Sequence, residues 1–205
     1  MKDPTVKLNR SEQKKLDVLQ AAIEEFRLQG FAGASMDRIA ELAGVSKRTV
    51  YNHYASKDQL FELATVELWR NTIAAATVAF DPTQTAEAQL MTICQRCLAV
   101  YAQQNFIDLA RVVMAEYIRS EEKAAAAMQQ MANQEGGLEL WLAKAVQQGV
   151  LQINDIPTAA SQFWGMFKAF AFWPKVFHMT QNEQVDETAL LSSIQMFVAY
   201  YSIKA

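Results

Sequence analysis

The placement of helix breakers constrains this chain more than any other feature. Its four prolines and seven glycines fall almost wholly between segments whose apolar residues recur every three or four positions. No run alternates apolar and polar residues around an Asn-Gly or Asp-Gly turn, so nothing reads as a hairpin. The pattern predicts an all-α protein, with helices at about 11–29, 36–43, 47–54, 57–80, 85–104, 106–119, 121–133, 138–148, 158–179 and 187–203. Ser56 with Gln59 is a capping-box pair opening the fourth of these, and Gly149 stands where the eighth should close.

Bulk composition removes whole classes of protein. With 205 residues, 51% hydrophobic and 20% charged, the chain can bury a sizeable core in one or two domains. The most apolar stretch, 158–179, is broken by Gln162, Lys168 and Lys175, so no membrane span is expected. The opening "MKDPTVKLNR" has no apolar export core, and two cysteines cannot build a disulfide framework; a reducing cytoplasmic setting fits both.

Charge is unevenly shared. Residues 1–60 hold ten Lys and Arg against eight Asp and Glu, whereas the other 145 hold nine against fourteen. A weakly basic head on an acidic body suits a protein whose head alone meets a polyanion.

The head has the spacing of a helix-turn-helix. In its first helix Leu16, Leu19, Ala22, Ile23, Phe26 and Leu28 form an apolar stripe that needs covering. The next two helices supply the cover: Ile39, Ala40 and Ala43 face inward, Gly44 permits a tight turn, Val45 plugs the corner and Ser46 caps the third helix. Ala40 is small where two helices must cross, and Val50 is the third helix's buried anchor. With Val45 and Val50 inside, Lys47, Arg48, Thr49, Tyr51, Asn52 and His53 are left on a solvent face rich in donors. A major groove offers matching acceptors: guanine for Arg48, adenine for Asn52, a base edge or thymine methyl for Thr49. Ser35, Lys47, Tyr51 and Lys57 are placed for phosphates, and Lys2, Lys7 and Arg10 could add contacts from an N-terminal arm. The competing reading is a solvated polar helix with no partner.

The run "ASMDRIAELAGVSKRTVYNHYASKDQLFELA", 34–64, preceded by "VLQAAIEEFRLQGF", resembles the N-terminal DNA-binding domain of the TetR family of transcriptional regulators. The likeness covers the first third of the chain, including the Gly30-Phe31 exit from the first helix and the "SKDQL" entry to the linking helix. Arg48 stands where many members have a small residue, and "YNHY" replaces a commoner Tyr-His-Tyr-Phe ending. The remainder is similar to the AefR-like C-terminal domain within that family: "GVLQINDIPTAASQFWGMF", 149–167, has its Gly-x-Leu, Asp, Pro and Ala-Ala spacing, with Ile156 inserted between Asp155 and Pro157. The resemblance implies a helical domain that dimerises through its last two long helices and encloses an effector pocket.

The residues of the tail argue separately for a second burial partner. Positions 159, 163, 166, 170, 173 and 177 are apolar along one face of the segment 158–179, and 160, 164, 167, 171 and 176 along another. The last helix repeats this with Leu190, Ile194, Phe197 and Tyr201 beside Leu191, Val198 and Tyr200. Helices apolar nearly all round are buried on more than one side, and a two-fold dimer built on Trp164, Ala171, Leu190, Ile194, Phe197 and Tyr201 is the economical solution. Met91, Cys94, Leu98, Tyr101, Met114, Tyr117, Trp141, Phe163, Phe167 and Phe170 could wall an effector pocket for an apolar or aromatic small molecule, oriented by Tyr101 or Tyr117. The same residues also read as plain core.

Cys94 and Cys97, three apart, raise a redox-sensing alternative; as neighbours on one helix they equally read as small core hydrophobes. A metal site is not expected, because His53 and His178 are the only histidines and lie far apart in sequence. No Gly-rich phosphate loop, His-Glu-x-x-His or Gly-x-Ser-x-Gly motif occurs, so neither an enzyme nor a cofactor is expected. The expected organisation is a flexible basic arm at 1–10, a helix-turn-helix DNA-binding domain at 11–56, a linking helix at 57–80 and a helical effector-binding and dimerisation domain at 81–205. Its expected partners are double-stranded DNA, a small-molecule effector and a second copy of itself.

Overall fold

The computed structural model describes residues 9–132, 136–179 and 185–203, which form eleven helices and no strand. The chain divides into two compact units, Met1–Leu68 with Val112–Ala127 and Trp69–Arg111 with Met128–Ala205. Lys2 and Lys7 of the expected arm lie outside the described residues. Arg10 is the first residue of a helix.

In the first unit, α1 (Arg10–Gly33) opens with a full capping box. The Asn9 side chain accepts from the N–H groups of Ser11 and Glu12, and Glu12 takes the Asn9 N–H at 2.8 Å. Its covered face is Val18, Ala21, Ala22, Glu25 and Phe26. Leu16 and Leu28, counted into the stripe from the sequence, are 43% and 52% exposed. The short helices that follow reach only part of α1, so the covered face is set by them and not by the number of apolar side chains available. At Gly30 the backbone turns to φ 68, a conformation glycine adopts without strain, and α1 bends. The last turn then sets Phe31 against Phe61, ring centroids 4.9 Å apart, with Phe26 edge-on to Phe61 at 5.5 Å.

The next elements are α2 (Met36–Leu42), α3 (Lys47–His53) and α4 (Lys57–Ala76). Leu60, Phe61, Ala64 and Leu68 from α4 join Ile39, Ala40, Val50 and Tyr54 in one core. The Tyr54 hydroxyl donates to Lys15 O at 2.8 Å, tying the end of α3 to α1, and burial pushes its pKa up. At the entry to α4, Ser56 accepts from Gln59 N at 3.1 Å, while the Gln59 side chain takes the N–H of Ala55, one residue before the partner a capping box requires. The unit is completed by parts of α6 (Gln104–Arg119) and α7 (Glu121–Ala132). Lys123 Nζ lies 3.5 Å above the Phe31 ring and 2.9 Å from Asp58. Tyr117 is hydrogen-bonded to Thr65, and burial pushes its hydroxyl up to about 12.

The second unit is built on α5 (Ala86–Tyr101), α8 (Leu138–Gln147), α9 (Ile156–Ala171), α10 (Trp173–Val176) and α11 (Glu187–Tyr201). α9 packs on α5, α8, α10 and α11. It starts at Asp155, whose carboxylate accepts from Thr158 N, with Pro157 in the first turn, where no N–H is needed. The single helix expected over 158–179 is interrupted at Phe172. Pro174 has no N–H to donate back into α9 and is tolerated only in a first helical turn, so the chain restarts as α10 with Pro174 in that turn. Arg111 holds that restart: its Nε donates to Val176 O at 3.0 Å, one Nη to Lys175 O at 2.6 Å and the other to Asp108 at 3.1 Å. Inside, Tyr101 is surrounded by Phe106, Phe167 and Phe172, with centroids 5.2–5.8 Å away. The Trp141 indole N–H donates to the buried Gln89 side chain at 3.1 Å.

Four residues expected at a dimer interface are core residues of the chain itself. Leu190, Ile194, Phe197 and Ala171 are buried within their own chain, and Tyr201, half-buried, donates to Gln162 at 2.6 Å. Trp164 is half-buried and edge-on to both Phe163 and Phe167. α9 and α11 are apolar on two faces each, and the face that Leu190, Ile194 and Phe197 occupy is the one α5 and α9 cover. The uncovered side of α11 carries Leu191, Met196 and Tyr200, and that of α9 carries Gly165 and Ala169, with Phe170 exposed near the C-terminal end of α9.

Candidate nucleic-acid interface

Two serines and a glycine build the turn between α2 and α3. Ser35 caps α2 by accepting from Arg38 N at 3.2 Å, and Ser46 caps α3 by accepting from Thr49 N at 3.1 Å. Between them the backbone reverses at Gly44, φ 62, with Gly44 N on Glu41 O and Val45 N on Ala40 O, both at 3.0 Å. Val50 is the one side chain α3 buries fully, and Val45 is half-buried at the corner. Seven residues with one anchor leave most of α3 facing outward.

The nine residues expected to meet DNA fall into two groups. Arg48, Tyr51 and Asn52 are exposed on α3, and no described residue holds the Arg48 or Asn52 side chain. The other six already have work within the protein. Ser35 and Ser46 are caps, and Thr49 Oγ1 lies 2.8 Å from Ser46 Oγ. Lys47 is paired with Asp37 at 2.6 Å, both well exposed, a contact worth little that phosphate could displace. His53 is half-buried with its ring 6.4 Å from that of Tyr54. Lys57, read from the sequence as a phosphate contact, donates to Ala34 O at 3.0 Å and Ala32 O at 3.3 Å and lies 4.7 Å from the Phe31 ring. Its ammonium closes the C-terminal end of α1, because the bend at Gly30 turns those carbonyls toward the start of α4.

Sequence reasoning passed over two residues here. Glu25 is completely buried on the core face of α1, and Arg38 on α2, 55% exposed, reaches it with Nε at 3.2 Å. The signal was present: Glu25 shares a face with Val18, Ala21 and Ala22 at helical spacing, a position where a charge needs a reason.

The expected effector-pocket residues separate between the units. Met91, Cys94, Leu98, Tyr101, Trp141, Phe163 and Phe167 belong to the second, whereas Met114 and Tyr117 belong to the first. Phe170 is 43% exposed and lines no interior. Tyr101 and Tyr117 are already bonded to Thr72 and Thr65. Cys94 and Cys97 are buried on α5; burial pushes both thiols up, Cys97 to about 12, the opposite of what a reactive thiolate needs. Among the described residues no group of His, Cys, Asp and Glu could hold a metal, and no helix is long and apolar enough to cross a membrane.

A capped turn that leaves a donor-rich third helix standing out from a three-helix core defines a helix-turn-helix DNA-binding protein. Residues 18–64 match the family described as "Bacterial regulatory proteins, tetR family", and residues 88–203 match "AefR-like transcriptional repressor, C-terminal domain". The chain belongs to the TetR family of transcriptional regulators. A TetR family transcriptional regulator from Pseudomonas syringae is 35% identical and superposes with a TM-score of 0.75 over 94% of this chain and 98% of that one. Among curated relatives, the HTH-type transcriptional regulator RutR of Escherichia coli is 44% identical over 48 residues, 23% of each chain. The HTH-type transcriptional repressor AcnR of Corynebacterium jeikeium is 37% identical over 49 residues, 24% of this chain and 26% of that one. These curated relatives are thus matched over only about a quarter of their own length.

Proposed function

We propose that the protein is a cytoplasmic repressor that binds a palindromic operator as a homodimer and is released by a small apolar or aromatic effector. The observation that carries the first part is α3 itself, with one buried anchor and Arg48, Tyr51 and Asn52 facing outward. Arg48 reads a guanine and Asn52 an adenine, each by a bidentate contact in the major groove. Two such helices about 34–36 Å apart in a dimer would meet successive major grooves. The uncovered apolar sides of α9 and α11, with Gly165 and Ala169 allowing close approach, support a four-helix interface between copies. The aromatic interior of the second unit around Tyr101 and Phe167 supports an effector of matching chemistry. In this scheme 11–56 reads DNA, 57–80 links, and 81–205 dimerises and binds the effector.

Selection of duplexes from a random pool at near-physiological salt tests it. A palindromic consensus is expected, and Arg48→Ala should lose about 1–3 kcal/mol at one position of each half-site while relaxing the base preference there. Equal loss on every sequence would remove Arg48 from base reading, and no enrichment by a folded dimer would remove operator binding.

A further inference from the structure

Glu25 is an anomaly on the face where it sits. A fully buried carboxylate loses its hydration, and a buried charge pair is by itself weak evidence of a stability role. Both oxygens are nevertheless directed at one neighbour, the first turn of α2: Oε1 accepts from Ser35 N at 3.4 Å and Oε2 from Arg38 Nε at 3.2 Å. Arg38 therefore presents an unusual division. Its Nε is fixed to a fully buried carboxylate, while its two Nη groups donate to no described residue and more than half of the side chain is in solvent. A guanidinium anchored through Nε offers its Nη edge in a set direction, with less conformational freedom to lose on engaging an oxyanion. In a helix-turn-helix the helix before the recognition helix crosses the DNA backbone.

We propose that Arg38 is a phosphate contact of the DNA interface and that Glu25 is its positioning residue. The inference rests on the operator binding proposed above and extends it to α2. Phosphate contacts carry no sequence information, so Arg38 fixes how α3 enters the groove, whereas Arg48 and Asn52 read the bases.

The test compares Kd for the selected operator and for a random duplex of equal length across a salt series. The proteins are the full-length wild type, Arg38→Gln, Glu25→Gln and the double variant, each with its thermal midpoint. Arg38→Gln should weaken binding about ten-fold on both duplexes and make the salt slope shallower by about one. Glu25→Gln should weaken binding in the same way but add nothing further once Arg38 is gone, a coupling that a merely structural glutamate would not show. If Glu25→Gln does not fold, Glu25→Leu, which puts no charge in the core, carries the same comparison. Wild-type affinity and slope in Arg38→Gln overturn the contact, and an equal loss from Glu25→Gln with or without Arg38 overturns the positioning role. A wild type that binds no duplex defeats the operator reading itself, and this inference with it.

Discussion

Helices α3 and α11 solve opposite problems. α3 buries Val50 alone and is held in place by its ends, through the Ser46 cap and the bond from Tyr54 to Lys15 O. α11 buries Leu190, Ile194 and Phe197 and still leaves Leu191, Met196 and Tyr200 in solvent. A helix with too little apolar surface to fill a core leaves its remaining side chains free for a partner, and their chemistry names that partner. A helix with too much apolar surface needs a second cover, and its sequence alone does not say which side faces which.

The largest break in this comparison is expected from Phe197→Ala. That side chain packs edge-on to Phe163 inside the protomer, and truncation should cost about 3–5 kcal/mol of stability in denaturant unfolding. Leu191→Glu with Tyr200→Glu, on the uncovered side of the same helix, should instead halve the mass of the proposed homodimer in sedimentation while the chain keeps its helical circular dichroism. Were Phe197→Ala to dissociate the protein without destabilising it, the two faces of α11 would be exchanged.

Smaller effects test the head. Ser46→Ala removes the cap that α3 depends on and should lower stability by about 1 kcal/mol in thermal unfolding. Leu28→Ser, an apolar residue of α1 already in solvent, should change stability by less than about 0.5 kcal/mol. A loss comparable to a core truncation there would mean that the exposed side of α1 is covered in the assembled protein.

Much of the head was legible because its signals are local. Ser35, Gly44, Ser46 and Val50 each act on atoms a few residues away, so their spacing gives the turn and leaves Arg48, Tyr51 and Asn52 outside. The bonds Lys57 makes were hidden for the complementary reason: its partners are Ala32 and Ala34, more than twenty residues back, brought to it by the bend at Gly30. Likewise, the charge of Glu25 showed in the sequence, but its partner Arg38, thirteen residues on, did not. In the second unit the break at Pro174 was readable, since proline acts on its own helix, and a pattern of apolar residues alone ran past it.

By itself the sequence determined the all-α class and the helix-turn-helix, because helix period, caps and breakers act over a few residues along the chain. Only the tertiary structure decided that Leu190, Ile194 and Phe197 face the protomer's own core, that Phe170 faces out, and that Cys94 and Cys97 are buried thiols. Burial depends on which surfaces meet across long separations, and a helix apolar on two sides carries no local mark of the side its own chain will cover.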